Sequence, residues 1–362
     1  MTSPRRLIDR VFTSVFDFTA LREEVRRLRG RLEQSEADSR GARERTRKLR
    51  SVAVDAHHLK SVLPLRAAAL RGAHDATACQ READLLARTE AYGAAKRAWE
   101  AGERPAGVRH AVSAGLEWSI PDDHGDEHSL SRRIERGWLP LHDIAAVRAC
   151  AVGGIMLDIG ANIGTTCIPR VVLGDFDCVY AAEPEPDNYA CLVGTVIDNG
   201  LTGRVLPDRV AIANWSGAAA LEHTERIGGH RLLGDASHMT TSSVEVACFT
   251  VDRWLRRLRV SPEAVTFVKV DTQGWDVDVL KGASSLLRQR HVVWQLEVSR
   301  MVKRSGASLR ELSDLLLANF SHAKLLSGGA PGLRPVAEVI QELQQRFDEH
   351  RFANLLVLNR AT

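Results

Sequence analysis

Aromatic residues account for only 5% of these 362 residues. No apolar stretch approaches the roughly 18 residues that span a bilayer. The six cysteines (Cys79, Cys150, Cys167, Cys178, Cys191 and Cys248) contain no C-x-x-C pair, so neither a zinc site nor a disulfide framework is indicated. Scattered thiols of this kind suit a reducing cytoplasm. The N-terminus lacks the uninterrupted apolar core of a signal peptide, because Asp9, Arg10 and Asp17 break it. A formal charge of +3 is too small to indicate nucleic-acid binding over the whole chain. The nicotinamide fingerprint G-x-G-x-x-G is also missing, which counts against a Rossmann dehydrogenase. What the sequence does have is 44% hydrophobic content, enough for a core of Ala, Val and Leu. Its length accommodates one large domain and an appendage.

Residues 155–164 read Ile-Met-Leu-Asp-Ile-Gly-Ala-Asn-Ile-Gly. A short apolar run ends in Asp158, and Gly160 and Gly164 follow. This is the pattern of a buried parallel strand running into a tight turn and then a helix. Missing side chains there are expected to let a ligand approach the backbone, with helix N-terminal N–H donors behind it. A carboxylate at the strand tip would repel a pyrophosphate. It suits a cationic cofactor, and S-adenosylmethionine (SAM) carries both an ammonium and a sulfonium. A second apolar run, from Asp177 to Glu183, ends in another acid about 25 residues further on, the interval of one βαβ step, with the acid placed for a ribose diol. Pro184 and Pro186 stop that strand, and Asp187 and Asn188 are placed to cap the next helix.

Together, Asp158-Ile-Gly-Ala-Asn-Ile-Gly164, Glu183-Pro-Glu-Pro-Asp-Asn188 and Asn199-Gly-Leu201 resemble the FkbM family of SAM-dependent methyltransferases. Val268-Lys-Val-Asp271-Thr-Gln-Gly274, running into Val279-Leu-Lys-Gly282-Ala, matches that family's second signature. The ordered motifs cover about residues 150–300, and weaker similarity reaches back to Gly115-Leu-Glu-Trp-Ser-Ile-Pro121. The resemblance implies a class I, Rossmann-like fold, SAM as cofactor, and methyl transfer to a hydroxyl of a sugar, glycan or secondary metabolite. Motifs and resemblance together assign Asp158, Gly160, Ala161, Asn162, Gly164, Glu183, Pro184 and Asp208 to cofactor binding. Many members carry Glu-Gly-x-Glu after the aspartate, whereas this chain has Gln273-Gly274-Trp275-Asp276, so a role of that first glutamate does not transfer. A SAM-binding helical scaffold with little or no turnover is the alternative reading.

Alternating elements predict an α/β, doubly wound parallel sheet over residues 106–362. Helices are expected from Leu130 to Arg148, and Thr165 or Thr166 should open the helix after the glycine turn. Strand three is expected over Arg204–Ile212, strand four over Val265–Asp271 and strand five over His291–Glu297, with hairpin strands near Ala218–His223 and Val244–Phe249. Ligands of such sheets bind at the carboxyl ends of the strands, which gathers Asp158, Glu183, Asp271 and Glu297. Phe267, Lys269 and Asp271 share one face of strand four. A lysine in an apolar strand calls for a carboxylate partner or a substrate contact. Methyl transfer to a weakly nucleophilic hydroxyl is helped by a base. Asp271 is the first candidate, then Glu297, then His238 and His230. Gln273 is placed to orient the acceptor and Trp275 to stack on a sugar face. No spaced ligand set supports a metal.

Residues 1–105 have a different grammar. Leu21, Val25, Leu28 and Leu32 follow a coiled-coil seam that lapses after Ser35, so residues 17–60 are a candidate homo-oligomer contact. A second helical stretch spans Leu65–Ala101, and Glu103–Gly107 reads as a linker. A helical hairpin packed on its own catalytic domain is the second reading of this arm. Peripheral membrane contact is the third, through Leu7, Val11 and Val15 beside Arg5, Arg6 and Arg10. Interleaved acids such as Glu23 and Glu33 favour a salt-bridged helix surface over a nucleic-acid arm.

Overall fold

A computed structural model describes residues 56–71, 75–122, 129–148, 150, 153–222, 231–326, 332–346 and 352–359. The expected coiled-coil seam, the membrane-facing stripe and His230 lie outside these residues. In chain order the strands are β1 (Val108–Ser113), β2 (Leu116–Pro121), β3 (Ile155–Ile159), β4 (Cys178–Ala182), β5 (Val205–Asp208), β6 (Ala211–Ile212) and β7 (Gly217–Glu222). They continue with β8 (Arg231–Asp235), β9 (Ser243–Phe249), β10 (Val265–Val270), β11 (Val293–Ser299), β12 (His322–Leu325), β13 (Arg334–Pro335) and β14 (Phe352–Leu358).

Eight strands form the main sheet in the order β13-β12-β14-β11-β10-β3-β4-β5. The five from β11 to β5 run parallel, and β14 is antiparallel to β11. The strand order therefore reverses at β3 and β10, where doubly wound sheets bind ligands beyond their carboxyl ends. Lys269 pairs across this junction with Asp158. Successive residues face opposite sides of the sheet. Leu157, Ile159, Val268 and Val270 thus enter one core with Trp254 and Trp294, while Met156, Val179 and Phe267 enter a second with Trp118 and Ile168.

The expected third strand is split. β5 ends at Asp208, and β6 resumes in a separate four-stranded sheet ordered β6-β9-β7-β8. The exposed Arg209 and the buried Val210 separate them. The Leu130–Arg148 expectation resolves into helices Leu130–Glu135 and Leu141–Arg148. Thr166 precedes the six-residue helix Cys167–Val172, as expected. The helix after β4, Pro186–Asp198, is capped by Glu185, whose carboxylate accepts the Asn188 N–H, and not by Asp187 or Asn188. Pro186 takes the first helical position, so the helix starts two residues earlier than a cap at Asp187 would place it.

Helices over 56–70, Ala76–Leu86 and Glu90–Glu100 pack on this body. Leu59, Leu63 and Ala67 join one core, and Leu85 and Tyr92 the other. Trp99 lies where any side chain on Gly194 would sit, and its indole N–H donates to Asp198 at 3.1 Å. Gly203 meets the Ala78 carbonyl in the same way.

Candidate functional site

A cleft opens at the carboxyl ends of β3, β4 and β10, with Leu221 and Leu232 of the small sheet across from it. Gly160, Asn162, Glu183, Pro184, Asp271 and Gln273 line it, so the structure brings together residues from both signatures. One half of the cleft is built from backbone. Gly160 has a φ of 79°, and a Cβ there would sit 1.9 Å from the Asp271 carbonyl oxygen. A Cβ on Gly164 would strike Ile168 and Leu192. These glycines are required by the approach of the chain to itself, a nearer cause than the approach of a ligand.

The amides of the turn are likewise committed. Gly160 and Ala161 donate to the Ala182 carbonyl, Asn162 to Glu183, Ile163 to the Asn162 side chain and Gly164 to the Ala161 carbonyl. The amides of the turn itself are thus satisfied within the chain, since the left-handed Asn162 (φ 52°) folds the turn back on itself. Without an amide cradle, the turn does not suit a pyrophosphate. Its polar edge is the Glu183 carboxylate, which is 6% exposed. One Glu183 oxygen accepts the Asn162 N–H at 2.7 Å and the other the Glu185 N–H at 3.0 Å. Each oxygen keeps a lone pair, the arrangement a ribose diol needs. Burial pushes its carboxyl up to about 7 against the pull of those two amides. Asn188, missed as a site residue in the sequence, also lines the cleft with a buried, unpartnered amide oxygen. Its position two residues beyond Pro186, on the first helical turn, is the signal that was there to be read.

The other half is built from side chains. Lys269, 9% exposed, lies 3.4 Å from Asp158 and 3.4 Å from Asp271. Gln273, held at a φ of 55°, donates its amide to Asp271 at 3.3 Å and Glu297 at 3.5 Å. Against burial, which raises it, the Lys269 ammonium and hydrogen bonds from Glu297 and Gln273 hold the Asp271 carboxyl below its ordinary value. Burial and the neighbouring Asp271 charge push Glu297 up to about 10. The two carboxyls therefore do not both ionise readily and share a proton as a pair, with the charge favoured on Asp271 beside Lys269. Lys269 stays charged, because Asp158 and Asp271 more than offset its burial. Burial and the Asp271 charge also push Asp276 up to about 7.

Four expected residues stand elsewhere. Asp158 is fully buried behind the cleft, where burial raises its carboxyl, and Lys269 is its charge partner. Asp208 accepts Trp254 at 2.9 Å and Arg257 at 2.5 Å, away from the cleft lining. Trp275 cannot stack on a sugar. It is 5% exposed, packs edge-on against Trp215 and donates to the Leu232 carbonyl. His238 sits on an exposed turn beside Asp235, 3.2 Å away, and is not among the lining residues. No group of three or more potential metal ligands occurs among the described residues.

Residues 158–322 match the model of the Methyltransferase FkbM domain. The hexuronic acid methyltransferase AglP of Haloferax volcanii is 28% identical over 142 residues, which cover 38% of this chain and 54% of AglP. The match thus spans about half the length of that relative. Among solved structures, methyltransferase FkbM from Methylobacillus flagellatus KT is 16% identical with a TM-score of 0.37, covering 57% of this chain and 43% of that one. TYW2 of M. jannaschii, in complex with AdoMet, is 12% identical with a TM-score of 0.34, covering 70% and 87%. The cofactor of the matched family is SAM, the one to which the motifs pointed.

Proposed function

We propose that this chain is a SAM-dependent O-methyltransferase acting on a hydroxyl of a sugar, glycan or secondary metabolite, as the match of residues 158–322 to the Methyltransferase FkbM domain supports. The observation that carries the reading is that Glu183 and Asp271 line one cleft at the strand reversal. A diol acceptor and a proton acceptor thus face a common space.

When bound, SAM supplies an activated methyl group on a sulfonium. Glu183 is placed to hold the ribose, with Asn188 beside it and Pro184 closing the wall. The Gly160–Gly164 turn fixes Glu183 through the Asn162 amide. Asp271 is placed to take the proton of the acceptor hydroxyl as the new bond forms, while Glu297 and Gln273 orient its carboxylate. Since in-line displacement depends on alignment, this orientation is where the protein contributes most. Asp271 stays ionised and weakly basic, which suits late proton removal from an alcohol already bonding to carbon.

The relative's hexuronic acid acceptor makes uronic acids and neutral glycosides the first acceptors to test. Calorimetry with SAM, followed by label transfer from methyl-labelled SAM to a panel of these acceptors, tests the reading. We expect saturable SAM binding and label in an ether product. Binding without transfer to any acceptor would favour the SAM-binding scaffold, and label in a methyl ester would overturn O-methylation of a hydroxyl.

A further inference from the structure

We infer that Lys269 is a positioning residue: it ties the buried Asp158 of the cofactor signature to the Asp271 carboxylate, so that the two halves of the site are set by one ammonium. The inference rests on the reading of Asp271 as the proton acceptor. Neighbouring parallel strands place Lys269 directly beside Asp158, and the same ammonium lies 3.4 Å from each carboxylate. Asp158 has no exposed surface, and beside the neutral Cys167 thiol its ion-pair partner is Lys269, so its charge is balanced through Lys269 and does not reach the cleft directly. A buried carboxylate with one cationic partner fixes where that cation sits. Lys269 in turn faces Asp271, two residues on and just past the end of β10.

The second observation is that Asp271, unlike Asp158, is open to the cleft, with its side chain 34% exposed. A half-open carboxylate on a sharp turn would swing unless held. It is held from three sides: Lys269 from β10, Gln273 from the turn and Glu297 from β11. The charged and titratable groups facing it are Lys269, Asp158, Glu297 and Asp276. Lys269 is the one cation among these four. Removing it takes away the charge that keeps Asp271 ionised, so the acid limb of the rate profile should move to higher pH. Removal of Asp158 alone should act in the same place, on the acceptor side, although Asp158 belongs to the cofactor signature.

The experiment measures Lys269→Met, Lys269→Arg, Asp158→Asn and the double variant Lys269→Met/Asp158→Asn, with Asp271→Asn as reference. SAM affinity by calorimetry and circular dichroism establish folding, and the double variant removes both buried charges in case Lys269→Met alone fails to fold. We expect kcat to fall about 10²-fold in Lys269→Met, the scale of a misplaced reacting group. Its acid limb should rise in pH, SAM affinity should stay close to that of the unaltered protein, and Lys269→Arg should recover part of the rate. A folded Lys269→Met, or a folded double variant, with the parent pH profile and kcat overturns the inference while leaving Asp271 as base. Loss of SAM affinity with an unchanged pH profile would also overturn it, by making Lys269 a cofactor contact. Full activity in Asp271→Asn would instead sink the underlying reading.

Discussion

The two halves of the cleft are made of different material. Around Gly160–Gly164 and Glu183 the geometry is set by backbone: left-handed turns, amides consumed internally, and a carboxylate clamped by two N–H groups. Around Asp271 it is set by four long side chains, Lys269, Gln273, Glu297 and Asp271 itself, which converge from β10, its following turn and β11. A backbone site resists single substitutions except at its glycines and its one carboxylate. A side-chain site is exposed to every one of its members, and its protonation states are shared.

The largest effect is expected where the comparison says the chemistry lies. Asp271→Asn keeps shape and some hydrogen bonding but removes charge and basicity. Methyl transfer should fall about 10²–10⁴-fold with SAM affinity little changed. Single-turnover rates and calorimetry on the same variant check both parts. An equal loss of SAM affinity would erase the distinction between the halves.

The frame beneath both halves is tested by Trp99→Ala. Trp99 fills the space over Gly194 on the helix that starts beside Glu183. Its loss leaves a cavity that no neighbour on that rigid helix can fill, at a cost of about 3–5 kcal/mol. The melting temperature should drop while SAM binding below the transition persists. Unchanged melting would show that the helices of residues 76–100 contribute little to the body. The same reasoning predicts that a chain cut at Gly107 loses stability, because Leu59, Leu85 and Tyr92 leave the core with it.

How much of this was legible follows from what is local. The β3 turn and the step to Glu183 were readable because glycines, prolines and a terminal acid constrain the chain within a few residues. The reason for the glycines was not, since the atom that excludes a side chain at Gly160 belongs to Asp271, far away in sequence. Lys269 was readable as a lysine in need of a carboxylate, yet that it lies between two of them and that Glu297 is pushed up by Asp271 depends on strand neighbours. Trp275 misled for a similar reason, its partners Trp215 and Leu232 lying in the inserted sheet. The linker at Glu103–Gly107 was visible as composition, but an amphipathic helix does not announce what covers its apolar face.

A smaller effect is expected on the backbone side. Glu183→Gln keeps an acceptor oxygen but turns the other contact into a donor that faces the Glu185 or Asn162 N–H. The loss of a charged hydrogen bond should weaken SAM binding by about 1–3 kcal/mol, leaving saturated kcat nearly intact. The raised carboxyl, at about 7, adds a pH signature. For folding, a raised value favours the native state below the ordinary 4.5, and that contribution is lost as pH rises through about 7. Ribose binding runs the other way, because only the ionised form accepts from both hydroxyls, so SAM affinity should rise through about 7. A titration series across that window should show the slope in the parent and a flat line in Glu183→Gln. A flat line in the parent would remove Glu183 as the ribose acceptor.

The smallest effect is expected at His238, the histidine that sequence reasoning held in reserve as a base. It lies on a short 3-10 turn, more than half exposed, with Asp235 as its neighbour and no place in the cleft lining. Gly234, at a φ of 144°, leaves room for its ring, so the imidazole rests against its own turn. A base must come within hydrogen-bond reach of the hydroxyl it deprotonates, and a ring anchored in this way on the inserted sheet has no path there without unfolding its turn. His238→Ala should therefore leave stability within about 0.5 kcal/mol, the range of ordinary surface changes. The methyl-transfer rate should stay within roughly twofold, the factor that such an energy represents. A rate loss comparable to that of Asp271→Asn would show that the inserted sheet folds over the acceptor during turnover, and that the side-chain half of the site extends to a third element.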